Sequence, residues 1–336
     1  MYTDSFLVIG SGSAGRRHAR ALQEMFPSAR VTIVRRFNSP QPDGALDGLD
    51  VEVVGTIAEG LRSRPEVAII ASAATNHLAD YREIVGHVQQ VLIEKPISAN
   101  VYHGLEIQRL ALAASLKTYV GYHLRFSETP LAFYSHIKNQ SWEKISLLSL
   151  RYGQHLRFWR PNVDMKETVT AQRVLGGGVL RELSHEIDAM YFLGSNPNQI
   201  KSAKVGFGGV LDDLDVETSA TFTVGGIEFD TEIHLDMTAE QPFRKWEAHF
   251  DGYTVCADLL AGQVSKTYAD GSHEVLTTAR PDERNVATKM LLRSFLGVGG
   301  GNAISVCTVG EAVKVLQLVE SVERSASTGT EVFLGI

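Results

Sequence analysis

A glycine-rich hexapeptide at residues 10–15, GSGSAG, constrains the start of the chain more than any other feature of the sequence. It follows an apolar run at residues 6–9 and opens a helix-like stretch that reaches Phe26. Glycines in this spacing allow a tight turn, a close approach of backbone to a diphosphate, and close packing of the helix on the strand. The positive end of the helix dipole would then face the diphosphate.

The hexapeptide therefore predicts a dinucleotide site, because a strand and a helix flank it on the expected sides. A glycine-rich turn that binds no ligand is the alternative interpretation. The residues assigned to the dinucleotide in this turn are Gly10, Gly12, Ser13, Ala14 and Gly15.

Apolar segments recur along the first third of the chain, at residues 31–34, 51–54, 67–70, 91–93 and 119–122. Helical patterns lie between several of them, at residues 58–62 and 77–85. Strands that alternate with helices form right-handed βαβ crossovers. We therefore expect a parallel sheet that is covered on both faces.

Beyond residue 124 the pattern changes to longer strands that follow one another directly. Gly225-Gly226 and Asp251-Gly252 are typical of turns between antiparallel strands. Helices are predicted at residues 179–193 and 309–325. The predicted strands cover residues 145–152, 200–206, 217–224, 226–235, 245–250 and 253–258.

At 336 residues the chain exceeds one ordinary hydrophobic core, so we predict two domains. We expect residues 1–124 to form the domain with the parallel sheet and residues 125–336 to form a second domain with helices and a mostly antiparallel sheet; the family resemblance given below implies that this second sheet is large and open. The fold class is therefore α/β.

The composition excludes several kinds of partner. The net charge of −7 argues against a nucleic-acid surface, and Cys256 and Cys307 alone provide no disulfide framework. The eleven histidines show no paired spacing on a helix, so no metal site is predicted. The start of the chain lacks a signal-peptide pattern, and no apolar run approaches the ~20 residues of a membrane span. We expect a cytoplasmic protein without a membrane partner.

Two arginines, Arg35 and Arg36, follow the second predicted strand, where dinucleotide sites often have an acidic residue that binds the ribose hydroxyls. A carboxylate there would repel a 2′-phosphate, whereas guanidinium groups bind phosphate in a fork geometry. The pair predicts NADP. The alternative is that both arginines are solvated charges and that NAD is accepted as well.

Glu94, Lys95 and Pro96 follow another apolar strand, at the sheet edge where parallel sheets bind ligands. An amine near a positively charged nicotinamide ring has a lowered pKa, which suits it to proton transfer near neutral pH. An exposed loop lysine is the alternative.

Five segments together resemble the glucose–fructose oxidoreductase, inositol dehydrogenase and rhizopine-catabolism (Gfo/Idh/MocA) family. They are GSGSAGRRHA, IIASAATNH, EKPIS, GYHLRF and GGGVLRELSHEID, in the family's order and over nearly the whole chain. The resemblance implies an N-terminal Rossmann domain and a C-terminal domain whose open sheet forms a homodimer or homotetramer interface.

The resemblance also implies roles for residues near the cofactor. It makes Lys95 a catalytic or orienting lysine, and Glu94 a contact near the cofactor ribose. It places Ala71, Ser72 and His77 around the nicotinamide side. His123 stands where family members often have asparagine, which puts that cofactor contact in question, and Arg125 of the same segment is assigned to the substrate.

The helix predicted from Val179 carries a second group of candidates. At ~100° per residue, Arg181, Glu182, His185 and Asp188 share one side, opposite an apolar side. An imidazole flanked by carboxylates one turn away has a raised pKa and a fixed orientation, which suits acid–base chemistry. Ion pairing on an exposed helix is the alternative.

Family members often have an acid, a histidine and an aspartate on this helix, so the resemblance implies that His185 is the general acid or base. Lys95 would assist it. Asp188 is predicted as part of the catalytic group, and Asp188 or Glu182 would shape the substrate pocket. Glu182 departs from the commoner spacing because it precedes the histidine by three residues and not four.

A third group of candidates lies between these segments, at Trp159, Arg160 and Asp164. Trp159 can stack on a sugar ring, Arg160 can bind a carboxylate or phosphate, and Asp164 can accept hydroxyl hydrogen bonds. The segment resembles a branch of the family from surface-polysaccharide and nonulosonic-acid pathways. A buried tryptophan with salt-bridged arginines is the alternative.

These observations predict an NADP-dependent oxidoreductase that transfers a hydride between nicotinamide and a hydroxyl-bearing carbon of a sugar or sugar derivative. One alternative is a lyase or glycosidase of the same family that recycles its bound cofactor. Another is a regulator that senses the cofactor without catalysis, which the presence of both Lys95 and His185 disfavours.

Overall fold

The computed structural model describes residues 5–36, 46, 48–138, 144–159, 164–208, 214–279, 284–298 and 304–335. The chain divides into two compact units. The first comprises Met1–His123 and Thr288–Val313, and the second comprises Leu124–Ala287 and Lys314–Ile336.

The elements of the described residues are numbered in chain order. The strands are β1 Ser5–Ile9, β2 Arg30–Val34, β3 Glu52–Val54, β4 Val67–Ile70, β5 Gln90–Ile93, β6 Lys117–Val120, β7 Ile145–Gly153, β8 Pro197–Phe207, β9 Glu217–Gly226, β10 Asp230–Asp236, β11 Phe243–Phe250, β12 Tyr253–Asp258, β13 Gln263–Tyr268, β14 His273–Thr278, β15 Cys307–Thr308 and β16 Val332–Phe333. The helices are α1 Ser13–Met25, α2 Ile57–Gly60, α3 His77–Ile84, α4 Val101–Ala113, α5 Glu128–Lys138, α6 Val179–Glu182, α7 Ser184–Phe192, α8 Arg284–Leu296 and α9 Val309–Thr328.

The first unit contains a sheet in the order β15-β6-β5-β4-β1-β2-β3. Strands β1 to β6 are parallel, and all four residues of β4 are buried. Continuous apolar burial of this kind is expected of a strand in a sheet covered on both faces. The predicted parallel Rossmann sheet is confirmed.

The predicted division at residue 124 omits a segment that returns to the first unit. Cys307 and Thr308 form β15, which pairs antiparallel with Val120 and Tyr119 at the edge of the first sheet. The ring of Phe295 also lies edge-on to Tyr119, with 6.0 Å between the ring centroids. A two-residue strand has no periodicity, so the sequence pattern did not reveal this return.

The second unit contains a sheet in the order β14-β13-β12-β11-β7-β10-β9-β8-β16. β7 and β10 pair in parallel, and the other neighbouring strands pair antiparallel. Burial alternates along β11, which is the pattern of a strand with one face on a core. The predicted large, mostly antiparallel sheet is confirmed.

The single helix predicted at residues 179–193 is wrong in one respect. The structure has α6 and α7 instead, separated at Leu183, whose φ of −98° and ψ of 21° depart from helical values. The apolar periodicity continues across the break, so it could not reveal the change of backbone.

A buried ion pair connects α7 to the second sheet. The Arg244 Nε on β11 donates to the Glu186 Oε1 at 2.6 Å, and the Glu186 residue is 0% exposed. The guanidinium carbon of Arg244 also lies 4.5 Å from the ring centroid of Tyr152. Because the Glu186 carboxylate is away from water, the free energy of unfolding depends on the presence of Arg244 as its counter-charge.

No helix in the described part of the chain combines the length and apolar character that crossing a membrane requires.

We expect Arg244→Met to lower the free energy of unfolding by about 3–5 kcal/mol, because it leaves a buried carboxylate without its counter-charge. Arg151 on β7 provides the matched control, since it pairs with Glu247 at the surface, where the two side chains are 44% and 24% exposed. Arg151→Met should cost less than about 1 kcal/mol. Urea unfolding measures both variants.

The double variant Arg244→Met, Glu186→Met should recover most of the loss, because it removes the stranded charge. Equal, small losses in Arg244→Met and Arg151→Met would contradict this role for the buried pair.

Candidate functional site

The turn after β1 has no room for a side chain at Gly10. Its φ is +112°, and a Cβ there would lie 2.6 Å from the Ala71 carbonyl oxygen and 2.8 Å from the Ser72 nitrogen. Only glycine tolerates both the positive φ and this approach. The turn therefore packs directly on the backbone that follows β4.

The first turn of α1 also packs closely, in its case on the turn at Gly10 and on β1. A Cβ at Gly15 would overlap the Gly10 carbonyl oxygen and would touch the Val8 side chain at 3.5 Å. Gly12 is the N-cap of α1 and provides no side-chain cap hydrogen bond. The first backbone N–H groups of a helix have no partner within the helix, so they can bind an anion.

The Ser11 hydroxyl adds an independent sign of a ligand at this turn. Ser11 is 3% exposed, and its Oγ has no hydrogen-bond partner among the described residues. A buried hydroxyl normally has a partner. The glycines without room for a side chain, the uncapped helix start and this hydroxyl together fit a diphosphate.

Arg35 and Arg36 follow β2, as predicted. The Arg35 N–H donates to the Val54 carbonyl oxygen at 2.8 Å, which extends the sheet pairing by one residue. Arg36 is exposed, and its guanidinium forms an ion pair with the fully buried Asp80 of α3. The sequence pattern gave Asp80 no role.

The loop after β4 is fixed by side chains of α3. The Ser72 hydroxyl donates to the Asp80 Oδ2 at 2.6 Å. His77 lies with one ring nitrogen 3.0 Å from the Ser72 carbonyl oxygen and the other 3.1 Å from that of Ile97. Burial lowers the pKa of His77, although both carbonyl contacts oppose this. The predicted cofactor residues Ala71 and Ser72 therefore lie in a loop that the first turn of α3, including the buried His77, holds in place.

Glu94, after β5, is the centre of a buried charge cluster. Its Oε1 lies 2.7 Å from the His18 Nε2 and 3.7 Å from an Arg17 guanidinium nitrogen, and its Oε2 accepts the Lys95 N–H at 3.2 Å. Burial raises the pKa of Glu94, but the hydrogen bond from His18 and the charges of His18, Arg17 and His123 outweigh burial. They hold the Glu94 pKa far below its usual value, so the carboxylate stays ionised.

Lys95 directly follows Glu94 in the chain, and His123 is close enough for its charge to lower the Glu94 pKa. Lys95 is half-buried, and its peptide bond to Pro96 is cis. His123 is buried in the short 3-10 turn His123–Phe126 after β6. A Cβ at Gly121 would lie 3.6 Å from the Glu94 carboxyl carbon, so the residue that follows β6 lies next to the cluster.

In the second unit, Arg125 and Asp188 bind each other. The Arg125 Nε and one terminal nitrogen donate to the two carboxylate oxygens of Asp188 at 2.9 and 2.6 Å. Both side chains are buried, and Arg125 also lies over the Phe192 ring at 5.6 Å. The predicted substrate role of Arg125 and the catalytic role of Asp188 stay predictions, and the ion pair adds a structural role.

His185 lies in the first turn of α7 and is buried. The sequence predicted a polar helix side with flanking carboxylates. The structure instead buries Asp188 against Arg125, while Glu182 ends α6 and is half-buried. Periodicity shows only the faces of one helix, so it could not reveal that the cation paired with Asp188 comes from another segment.

The predicted substrate segment is described only in part. Trp159 is half-buried, and its Nε1 has no hydrogen-bond partner within the described residues. Arg160 lies outside the described residues. Asp164 is exposed and accepts the Lys166 N–H at 3.0 Å, which caps a 3-10 turn.

The sequence pattern missed Ser11, Arg17, His18 and Asp80. His18 lies in α1, one helical turn after Gly15, and is buried. In the sequence, only its position just after the glycine-rich turn could have pointed to it. No cluster of metal-binding side chains occurs among the described residues.

Comparison with known proteins defines the class. Residues 5–122 match the family model GFO_IDH_MocA, described as an oxidoreductase family with an NAD-binding Rossmann fold. The first part of the chain, residues 5–122, is therefore similar to this family of oxidoreductases, and the resemblance seen in its motifs is confirmed there. No curated protein matches the sequence significantly.

Solved structures share the fold over the whole chain. UDP-N-acetylglucosamine 3-dehydrogenase from Acidithiobacillus ferrooxidans is 16% identical with a TM-score of 0.76, over 98% of this chain and 99% of that one. Myo-inositol dehydrogenase from Corynebacterium glutamicum is 18% identical with a TM-score of 0.75, over 100% of both. The WlbA dehydrogenase from Bordetella pertussis, in complex with NADH and UDP-GlcNAcA, is 14% identical with a TM-score of 0.78, over 100% of both. At these identities the likeness establishes the fold.

The Glu94 cluster generates a pH-dependent prediction. A carboxyl whose folded-state pKa is depressed contributes stability above the unfolded-state pKa, near 4.3, and this contribution is lost as the pH falls toward the folded-state value. The wild type should therefore lose about 1 kcal/mol more stability per pH unit below about 4.3 than Glu94→Gln does.

Urea unfolding at several pH values measures this difference, with Glu83→Gln at an exposed carboxylate of α3 as the control. The control should follow the wild type. Parallel pH profiles for the wild type and Glu94→Gln would contradict the ionised state of Glu94.

Proposed function

We propose that this chain is an NADP-dependent oxidoreductase that transfers a hydride between nicotinamide and a hydroxyl-bearing carbon of a sugar or sugar derivative. The observation that carries the proposal is the turn at Gly10 to Gly15, where neither Gly10 nor Gly15 has room for a side chain and no side chain caps the helix N-terminus. The family match supports the oxidoreductase class.

In this proposal the N–H groups at Ser13 and Ala14, at the start of α1, hold the diphosphate. Helix N-termini bind such groups because their N–H donors and the helix dipole favour negative charge. The Ser11 hydroxyl provides a further hydrogen bond. When bound, the nicotinamide supplies or accepts the hydride.

Two guanidinium groups support NADP over NAD. Arg35 and Arg36 occupy the end of β2, and they can form charge-assisted hydrogen bonds with a 2′-phosphate. Asp80 offsets part of the Arg36 charge, but it is buried while the Arg36 side chain is 44% exposed toward solvent. NAD is the alternative cofactor, and the WlbA structure contains NADH.

His185 is proposed as the general acid or base that exchanges a proton with the substrate hydroxyl. Lys95 is proposed to assist the proton transfer as a hydrogen-bond donor, which favours a developing negative charge. Asp188 is buried against Arg125 in the helix that carries His185, so that ion pair fixes the backbone of α7. Asp188 is therefore proposed as a positioning residue for the imidazole.

A sugar-like substrate is supported by the Trp159 segment. The indole is half-buried with a shielded N–H, which suits stacking on a sugar ring with a polar edge. The likeness of this segment to enzymes of surface-polysaccharide and nonulosonic-acid metabolism favours an acidic or N-acylated sugar. Two structures of the same fold are named for, or contain, UDP-linked sugars, which supports a nucleotide-linked substrate.

A homodimer or homotetramer through the second sheet is part of the proposal. Phe207 on β8 and Phe333 on β16 are exposed near one edge of that sheet, as is Ile227. Large apolar side chains on a sheet are typical of an interface between subunits.

The cofactor assignment predicts that wild-type protein binds NADP at least about tenfold more tightly than NAD, because two cations meet the 2′-phosphate. Titration calorimetry measures both dissociation constants. Tighter binding of NAD would contradict the NADP assignment.

The catalytic assignment is tested with a substrate found by screening sugars and nucleotide sugars for a change in NADPH absorbance. Lys95→Ala and His185→Ala should each lower kcat by about 10²–10⁴-fold, the usual contribution of acid–base groups. The dissociation constant for NADP should change little, because neither side chain is assigned to the diphosphate or the 2′-phosphate.

Lys201→Ala and His273→Ala, which change exposed residues of the second sheet, are the matched controls and should retain turnover. Near-wild-type kcat in Lys95→Ala or His185→Ala would remove that residue from the mechanism. Product formation without net NADPH change would favour the cofactor-recycling lyase or glycosidase.

A further inference from the structure

Asp80 is a fully buried carboxylate that the proposed reaction does not use. It lies in the first turn of α3 and is 0% exposed. Its Oδ1 accepts a hydrogen bond from the Arg36 guanidinium, and its Oδ2 accepts the Ser72 hydroxyl at 2.6 Å. Both oxygens of one buried group therefore bind residues from two different loops.

Those loops lie on opposite sides of β1. Arg36 follows β2 and Ser72 follows β4, and each of these strands pairs in parallel with β1. The turn at Gly10 packs on Ala71 and Ser72. Asp80 therefore connects the residues that follow β2 and β4, the two strands on either side of β1, and β1 leads into the turn that is proposed to hold the diphosphate.

The burial of Asp80 restricts Arg36. If the guanidinium left, an ionised carboxylate would remain inside the unit without its counter-charge, which is strongly unfavourable. Arg36 is thus held in one orientation by a partner that solvent does not reach. A free arginine at a strand end would instead lose considerable rotamer freedom on binding a phosphate.

The ion pair with Asp80 still leaves the Arg36 guanidinium able to bind a phosphate. A guanidinium has five N–H donors in a planar fork, and Asp80 accepts from one terminal nitrogen. The Arg36 side chain is 44% exposed, so the outer part of the fork remains accessible to a ligand.

We propose that Asp80 is a positioning residue for cofactor selection. It orders Arg36 in advance, so that a 2′-phosphate meets a guanidinium whose orientation is already fixed. This inference rests on the proposed NADP function and goes beyond it, because it assigns the selectivity partly to a residue of α3 that does not touch the cofactor. Ser72 supports the same carboxylate from the other side.

The test is calorimetric titration with NADP, NAD, 2′,5′-ADP and 5′-ADP, which needs no substrate. Asp80→Asn keeps the size of the side chain and removes its charge. It should weaken NADP and 2′,5′-ADP about tenfold and change NAD and 5′-ADP less than about twofold. Glu83→Gln, at an exposed carboxylate of the same helix, is the matched control and should change none of the four.

A double-mutant cycle shows whether Asp80 acts through Arg36. Arg36→Ala should weaken NADP about thirtyfold, because charge-assisted hydrogen bonds to the phosphate are lost. The double variant Asp80→Asn, Arg36→Ala should bind NADP no more weakly than Arg36→Ala alone. A residue that merely stabilises the fold would weaken all four ligands and add to the effect of Arg36→Ala.

The outcomes separate this inference from the function on which it rests. If Arg36→Ala weakens NADP but Asp80→Asn does not, or if Asp80→Asn weakens all four ligands equally, Asp80 is not a positioning residue while the NADP assignment stands. If Arg36→Ala leaves NADP binding unchanged, the role of Asp80 is overturned, and if the wild type prefers NAD, both proposals fail. Should Asp80→Asn not fold, Ser72→Ala decides: it should weaken 2′,5′-ADP about threefold relative to 5′-ADP, and an unchanged ratio would overturn the role of the carboxylate.

Discussion

The close approach of backbone at Gly10 is the constraint on which the first unit depends. A side chain there would collide with the Ala71 carbonyl, and one at Gly15 would collide with Gly10 itself. The ends of β1 and β4 and the start of α1 therefore meet without side chains between them. This leaves the helix N-terminus open beside the buried Ser11 hydroxyl, so an anion can reach backbone donors that protein side chains would otherwise cap.

Buried ion pairs organise what surrounds the candidate residues in both units. Glu94 is held by His18 and Asp80 by Arg36, while Asp188 is held by Arg125. In each case a carboxylate away from water binds a basic side chain from another segment, which fixes the two segments against each other. Such pairs leave little freedom for nearby groups, and catalytic groups act best when their orientation is fixed beforehand.

The sequence predicted the features that depend on local pattern. The glycine spacing and the βαβ alternation identified the first sheet, and hairpin turns identified the second. Contacts between distant segments were not predictable: nothing near Asp188 in the sequence points to Arg125, and nothing near Arg36 points to Asp80. The break at Leu183 and the two-residue strand at Cys307 were missed for a related reason, since neither changes the apolar periodicity.

A crystal structure of the chain grown with saturating NADP would show whether the turn at Gly10 binds the cofactor. We expect diphosphate oxygens within hydrogen-bond distance of the N–H groups at Ser13 and Ala14, and the 2′-phosphate on the Arg36 guanidinium. A diphosphate bound away from this turn, or a turn that stays empty at saturating NADP, would contradict this expectation.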